Sequence, residues 1–220
     1  MTTRPDEIER ESFAIIRSEL RAKGVPTEPE NEAVILRCIH ASADFDYAET
    51  LRFTPHAVRL GVEALRNGAG VVTDTNMAKA GVSGRGLARL GGELFCFMAE
   101  PEIAALAKAG GTTRAAAAMR HAARRCPSAV YAVGNAPTAL LTLAELIRDG
   151  LRPALVIAVP VGFVNVVESK EKIFETCRAC GVPAIAAMGR KGGSSIAAAV
   201  CNALIYTAAD MLDPGERGWT

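Results

Sequence analysis

The chain has 220 residues, half of them apolar and only 5% aromatic, with a formal net charge of +1. That length builds one α/β domain with a substantial core, and the charge balance argues against non-specific nucleic-acid binding. No stretch approaches the roughly 20 uncharged apolar residues that span a bilayer, and the polar start, Met1-Thr2-Thr3-Arg4-Pro5-Asp6-Glu7, lacks an apolar signal core, so a cytosolic protein without membrane association is expected.

The first third reads as helical. Ile8, Phe13, Ile16 and Leu20 recur at helical spacing over residues 7–23, and Gly24 ends the run. A second helix is predicted over residues 29–43. Thr54-Pro55 reads as an N-cap followed by proline at the first helical position, opening a third helix that reaches Asn67. The pattern then changes to short apolar runs at 70–73, 94–99, 129–133, 154–159 and 183–188. Helices begin near Glu100, Thr112, Ala136, Glu168 and Ser194. Apolar strands alternating with helices predict right-handed βαβ units and a parallel sheet covered on both faces. The expected fold is a three-layer α/β sandwich with a mostly parallel, about five-stranded flavodoxin-like sheet and extra N-terminal helices. With no repeat or low-complexity linker, residues 1–220 read as a single domain.

Ligands of such sheets bind beyond the carboxyl ends of the strands. The loops there read Thr73-Asp74-Thr75-Asn76, Gly134-Asn135-Ala136-Pro137-Thr138, Pro160-Val161-Gly162-Phe163-Val164-Asn165 and Gly189-Arg190-Lys191-Gly192-Gly193-Ser194-Ser195. Several open directly into helices, whose free N–H groups attract anions. Arg190 and Lys191 add positive charge beside one loop, and Thr112-Thr113-Arg114 does so at another helix start. One such loop is an ordinary strand-to-helix turn; four on one rim favour a broad anion-binding face, with Arg114, Asn135, Thr138, Arg190, Lys191, Gly192 and Ser194 as ligand-binding candidates. Neither a GxxxxGK[ST] loop nor a GxGxxG after a strand is present.

Among the three histidines, His56 and His121 read as surface residues. His40 ends an apolar helical stretch and shares a face with Arg37 three residues earlier, which disfavours its cation. A histidine poised near neutrality exchanges protons at physiological pH, although this segment alone fits a satisfied core histidine better. Of the six cysteines, Cys177 and Cys180 form a CxxC. Lacking a second CxxC or a nearby histidine, the pair reads as two helix-surface thiols, and no metal site is expected.

Six ordered segments carry a family resemblance over almost the whole chain. They are Glu11-Ser12-Phe13-Ala14-Ile15-Ile16-Arg17, Arg37-Cys38-Ile39-His40-Ala41, Gly134-Asn135-Ala136-Pro137-Thr138-Ala139-Leu140, Pro160-Val161-Gly162-Phe163-Val164, Glu168-Ser169-Lys170 and Gly189-Arg190-Lys191-Gly192-Gly193-Ser194. The sequence resembles the precorrin-8X/cobalt-precorrin-8 methylmutases. The stretches at 43–47 and 72–79 look more like the oxygen-independent, cobalt-inserted branch. The first residues and the tail after Asp210 match no motif. The resemblance implies a homodimer with sites near the subunit interface, no added cofactor and a corrinoid substrate. The implied reaction moves the ring-C methyl from C11 to C12 of the macrocycle, with His40 as the catalytic histidine and Ser12 and Arg37 in contact with substrate. Two other readings compete: a corrinoid carrier without catalysis, which has no need of His40, and a nucleotide- or phosphate-binding α/β enzyme.

Overall fold

The computed structural model describes residues 4–217. Six strands form one sheet: β1 (Leu51–Phe53), β2 (Val71–Thr73), β3 (Leu94–Phe95), β4 (Val130–Val133), β5 (Leu155–Ala158) and β6 (Ala184–Ala187), in the order β1-β6-β5-β4-β2-β3. Strands β2 to β6 are parallel and follow the flavodoxin order, so the switch point lies between β2 and β4. They are the five strands expected from the apolar runs. The sixth, β1, pairs antiparallel on β6 with Leu51 opposite Ala187 and Phe53 opposite Ile185. It escapes sequence reading because it is three residues long and, at the sheet edge, exposes Arg52.

Side chains alternate across the pleat and separate two cores. Val71, Val130, Ala132, Leu155, Ile157 and Ile185 face helices α1 (Pro5–Ala22), α2 (Glu32–Ser42), α4 (Ala57–Arg66), α5 (Asn76–Gly81) and α11 (Ser194–Ala208). Val72, Tyr131, Val133, Val156, Ala158, Ala184 and Ala186 face α7 (Pro101–Ala109), α8 (Arg114–Arg125), α9 (Pro137–Arg148) and α10 (Val166–Cys180). Two short helices, α3 (Tyr47–Thr50) and α6 (Gly84–Arg89), and a closing 3-10 turn at Pro214–Arg217 complete the chain. No helix among the described residues is long and apolar enough to cross a membrane.

Three local expectations need correction. Thr54 does not cap α4, whose start is His56 in the left-handed region; buried Thr54 instead accepts a hydrogen bond from the Ala184 N–H at 2.8 Å, fastening β1 to β6. Cys177 is buried rather than on a helix surface, and burial pushes its thiol up to about 12. His121 is not a surface residue: its ring packs on Phe97 at 4.9 Å, Nδ1 lies 3.2 Å from Glu102, and Nε2 is buried without a partner.

Candidate active site

All four anticipated loops meet at the carboxyl ends of the parallel strands. Gly134 and Ser194 touch so closely that a Cβ on Gly134 would lie 2.8 Å from the Ser194 Cα. Gly192, at φ +155, presses its backbone on the end of β5; a Cβ there would sit 2.1 Å from the Val159 oxygen. Only glycine permits both the dihedral and the approach. The Gly193 N–H donates to Val159 O at 2.8 Å, and the Gly162 N–H donates to Arg190 O at 3.2 Å. Thr75 and Ser194 hydroxyls lie 2.7 Å apart, and those of Thr113 and Thr138 lie 2.9 Å apart. The second pair joins the starts of α8 and α9, bringing Arg114 to the same rim.

The switch-point loop differs from its sequence reading. Asp74, buried after β2, accepts the N–H groups of Gly134, Asn135 and Ala136 at 2.8, 2.9 and 2.8 Å. The donors expected to be free for a ligand anion are therefore taken by an internal carboxylate. Burial holds that carboxyl above the ordinary carboxylate range, and the three N–H groups oppose the rise. Lys191 is likewise not an open cation, because its ammonium lies 2.7 Å from Asp44 and 2.6 Å from Asp46. Arg190 and Arg114 remain exposed, without an ion-pair partner among the described residues. The Arg190 guanidinium stands 5.4 Å over the ring of Phe163. Phe163, Val164 and Met77 are 82%, 76% and 73% exposed, so the cations share the rim with large apolar side chains.

The second half of the site lies on the antiparallel pair α1 and α2. Glu9 is buried and receives Arg37 Nη2 at 2.7 Å and Arg217 Nη1 at 2.8 and 2.7 Å. Arg37 is wedged between the rings of Phe13 (5.1 Å) and Tyr206 (4.9 Å). The His40 ring lies 5.1 Å from Phe13 on the exposed end of α2. Burial would raise the Glu9 carboxyl, but the hydrogen bonds and charges of Arg217 and Arg37 hold it below the ordinary carboxylate range. Partial burial lowers the His40 imidazole; Glu9 opposes this, and Arg37 and Arg217 reinforce it. Ser12 lies on α1 next to Phe13, its hydroxyl donating to Ile8 O at 2.8 Å. Just beyond His40, the chain turns at Ala43 (φ 55) and offers Asp44 and Asp46 to Lys191, so the helix end carrying the histidine is tied to the loop carrying Arg190.

A model of the family described as precorrin-8X methylmutase matches residues 7–207. The chain belongs to the precorrin-8X methylmutase family. The cobalt-precorrin-8 methylmutase of Salmonella typhimurium is 41% identical over 92% of this chain and 95% of its own length. The precorrin-8X methylmutase of Pseudomonas aeruginosa is 41% identical over 90% and 93%. The solved structure of the precorrin-8X methylmutase from Thermus thermophilus superposes with a TM-score of 0.84 at 44% identity, covering 93% of this chain and 96% of that one. The chain is accordingly an isomerase, a methylmutase of corrin biosynthesis.

In this methylmutase the fold gathers Arg114, Asn135, Thr138, Arg190, Lys191, Gly192 and Ser194 on one rim, and Ser12, Arg37 and His40 on the α1–α2 pair. Four polar residues hold these groups in roles that the sequence reading did not assign: Glu9 and Arg217, and also Asp74 and Lys170, which stand in an anticipated loop and in a segment carrying the resemblance. Two of them left a signal. Glu9 continues the stripe of Phe13, Ile16 and Leu20 on α1, and Lys170 continues that of Val166, Ile173 and Cys177 on α10. A charge on a buried stripe marks a residue with a dedicated partner.

Proposed function

We propose that this methylmutase converts cobalt-precorrin-8, or its metal-free counterpart precorrin-8X, to cobyrinate or hydrogenobyrinate by moving the ring-C methyl from C11 to C12. The observation that carries this reading is the mixed character of the rim, where exposed Arg190 and Arg114 stand among exposed Phe163, Val164 and Met77. A flat apolar macrocycle edged with acetate and propionate arms matches that surface. The rim offers guanidinium groups to the arms and apolar side chains to the ring.

A methyl shift between adjacent ring carbons is an allowed [1,5]-sigmatropic migration once the conjugated system is in the right tautomer. The protein's tasks are to hold the ring, exclude water and move one proton. His40 gives that proton to the ring-C nitrogen or a site beside it, drawing electron density from the migration terminus, and takes one back after migration. A corrinoid is the only partner the reaction needs besides a second subunit. A homodimer is the working unit and the cytoplasm its location, in keeping with six free thiols. No cofactor enters the scheme.

His40→Ala tests the reading. Acid–base groups contribute about 10²–10⁴-fold in rate, so methyl migration followed by the product's absorbance should fall by that factor while corrinoid binding persists. Turnover near that of the wild type would remove His40 from the chemistry. Binding without turnover in the wild type would remove the C11-to-C12 shift from the reading.

A further inference from the structure

Helix α10 runs beneath the rim, and its buried stripe carries one lysine. Lys170 has no exposed surface, and burial brings its ammonium down to about 8. A methionine or leucine suits such a position better on packing grounds alone, so the charge calls for a specific use. Its Nζ donates at 2.8 Å to the carbonyl of Gly189 and at 2.8 Å to that of Lys191, the two residues flanking Arg190. The carbonyl between them, that of Arg190, accepts the Gly162 N–H at 3.2 Å. Three successive carbonyls are thus engaged by the protein. The peptides are trans, so each N–H points opposite to the carbonyl of its own unit. With the Gly189 and Lys191 carbonyls drawn to Lys170, the N–H groups of Arg190 and Gly192 face away from α10, and the Arg190 side chain stands outside over Phe163.

We propose that Lys170 is a positioning residue, whose ammonium pins the carbonyls on either side of Arg190 and so holds the guanidinium in one arrangement for a substrate carboxylate. The assignment rests on the reading of the rim as the seat of a carboxylated macrocycle. Its physical benefit is preorganisation. A glycine-rich loop left free loses conformational entropy when an anion orders it, whereas a loop pinned from below has already lost it.

The probes are cobyrinic acid, with carboxylate arms, and cobinamide, with amidated arms, titrated by absorbance into wild type, Arg190→Ala, Lys170→Met, Lys170→Gln and the Lys170→Met/Arg190→Ala pair. Lys170→Met should weaken cobyrinic acid on the order of tenfold, as the loss of one charge-assisted hydrogen bond does, and leave cobinamide nearly unaffected. KM should rise with kcat held. Lys170→Gln keeps an uncharged NH₂ donor group and should fall between. The double variant should lose no more than Arg190→Ala alone, since Lys170 acts through that side chain. Additive losses, equal weakening of both corrinoids, or an indifferent Lys170→Met beside a binding wild type would overturn the proposal. So would loss of the fold in both Lys170 variants, which assigns the side chain to sheet stability instead. A wild type that binds neither corrinoid is a distinct result: it removes the reading of the rim and the proposal with it.

Discussion

Glu9 is the residue on which the α1–α2 half of the site depends most. It accepts from Arg37 and Arg217, which are themselves largely buried. Removing one member of a buried ion pair costs about 3–5 kcal/mol, because the remaining charge is stranded. Glu9→Ala should therefore lower stability by about that amount in urea titration, and Arg217→Ala by less, since Glu9 keeps Arg37. The pH dependence has a definite sign. A carboxyl held below its ordinary 4.5 contributes stability that is present above pH 4.5 and disappears as pH falls through the depressed folded value. Circular dichroism of the wild type should show a loss below pH 4.5 that Glu9→Gln lacks; identical acid profiles would remove Glu9 from the account. His40 behaves in the opposite direction. Its imidazole is lowered below 6.5, so as a proton donor it should support a rate that falls as pH rises through a value under 6.5. Glu9→Gln, which deletes the carboxylate favouring its cation, should move that limb lower still.

At the scale of elements, β2, β4, β5 and β6 are legible because they are buried on both faces, and β3, half-buried at the sheet edge, because it lies in the apolar run at 94–99. Strand β1 was hidden by its brevity and its exposed Arg52. The loops were recognisable as loops, yet their hydrogen bonding was not. Whether a glycine-rich turn offers its N–H groups to a ligand depends on a residue some 60 positions away: Asp74 answers for residues 134–136. Lys191 reads as a free cation for the same reason, since Asp44 and Asp46 come from across the fold. A charge that interrupts an apolar stripe, as at Glu9 and Lys170, is by contrast a signal that residue type does carry, and it went unused. The β1 attachment is testable by itself. Thr54→Val leaves the Ala184 N–H buried without its acceptor, which costs roughly 1–3 kcal/mol. The variant should unfold earlier in denaturant while its kcat stays near that of the wild type. A large loss of kcat at unchanged stability would mean that β1 does more than close the sheet edge.

For the whole molecule, the two halves of the site are joined by α11, which packs on α2 and opens at Ser194 on the rim, and by the ion pairs of Lys191. The α1–α2 pair reaches the rim through Asp44 and Asp46, and His40 remains exposed in the single chain. If the homodimer proposed above sets its partner against this end of α2, each site draws on both subunits. Mixing a Ser12→Ala protein with a His40→Ala protein should then restore part of the activity, because one site in each heterodimer regains both residues. An active monomer in light scattering at assay concentration would refute the shared site.

The Asp74 carboxylate has a consequence for what this sheet is able to recognise. Sheets of flavodoxin order commonly seat a phosphate at the switch point, on the N–H groups that open the following helix. Here the chain brings its own anion to that seat, and the place is occupied from the moment it folds. An external phosphate would have to displace that carboxyl group to reach the same donors. In the function proposed above, ligand selection rests with the outer rim, where Arg190 and Arg114 are exposed. Deleting the carboxyl group should free the donors: Asp74→Ala should bind inorganic phosphate in calorimetry where the wild type gives no heat. Equal silence from both proteins would show that the seat is shaped for the aspartate alone.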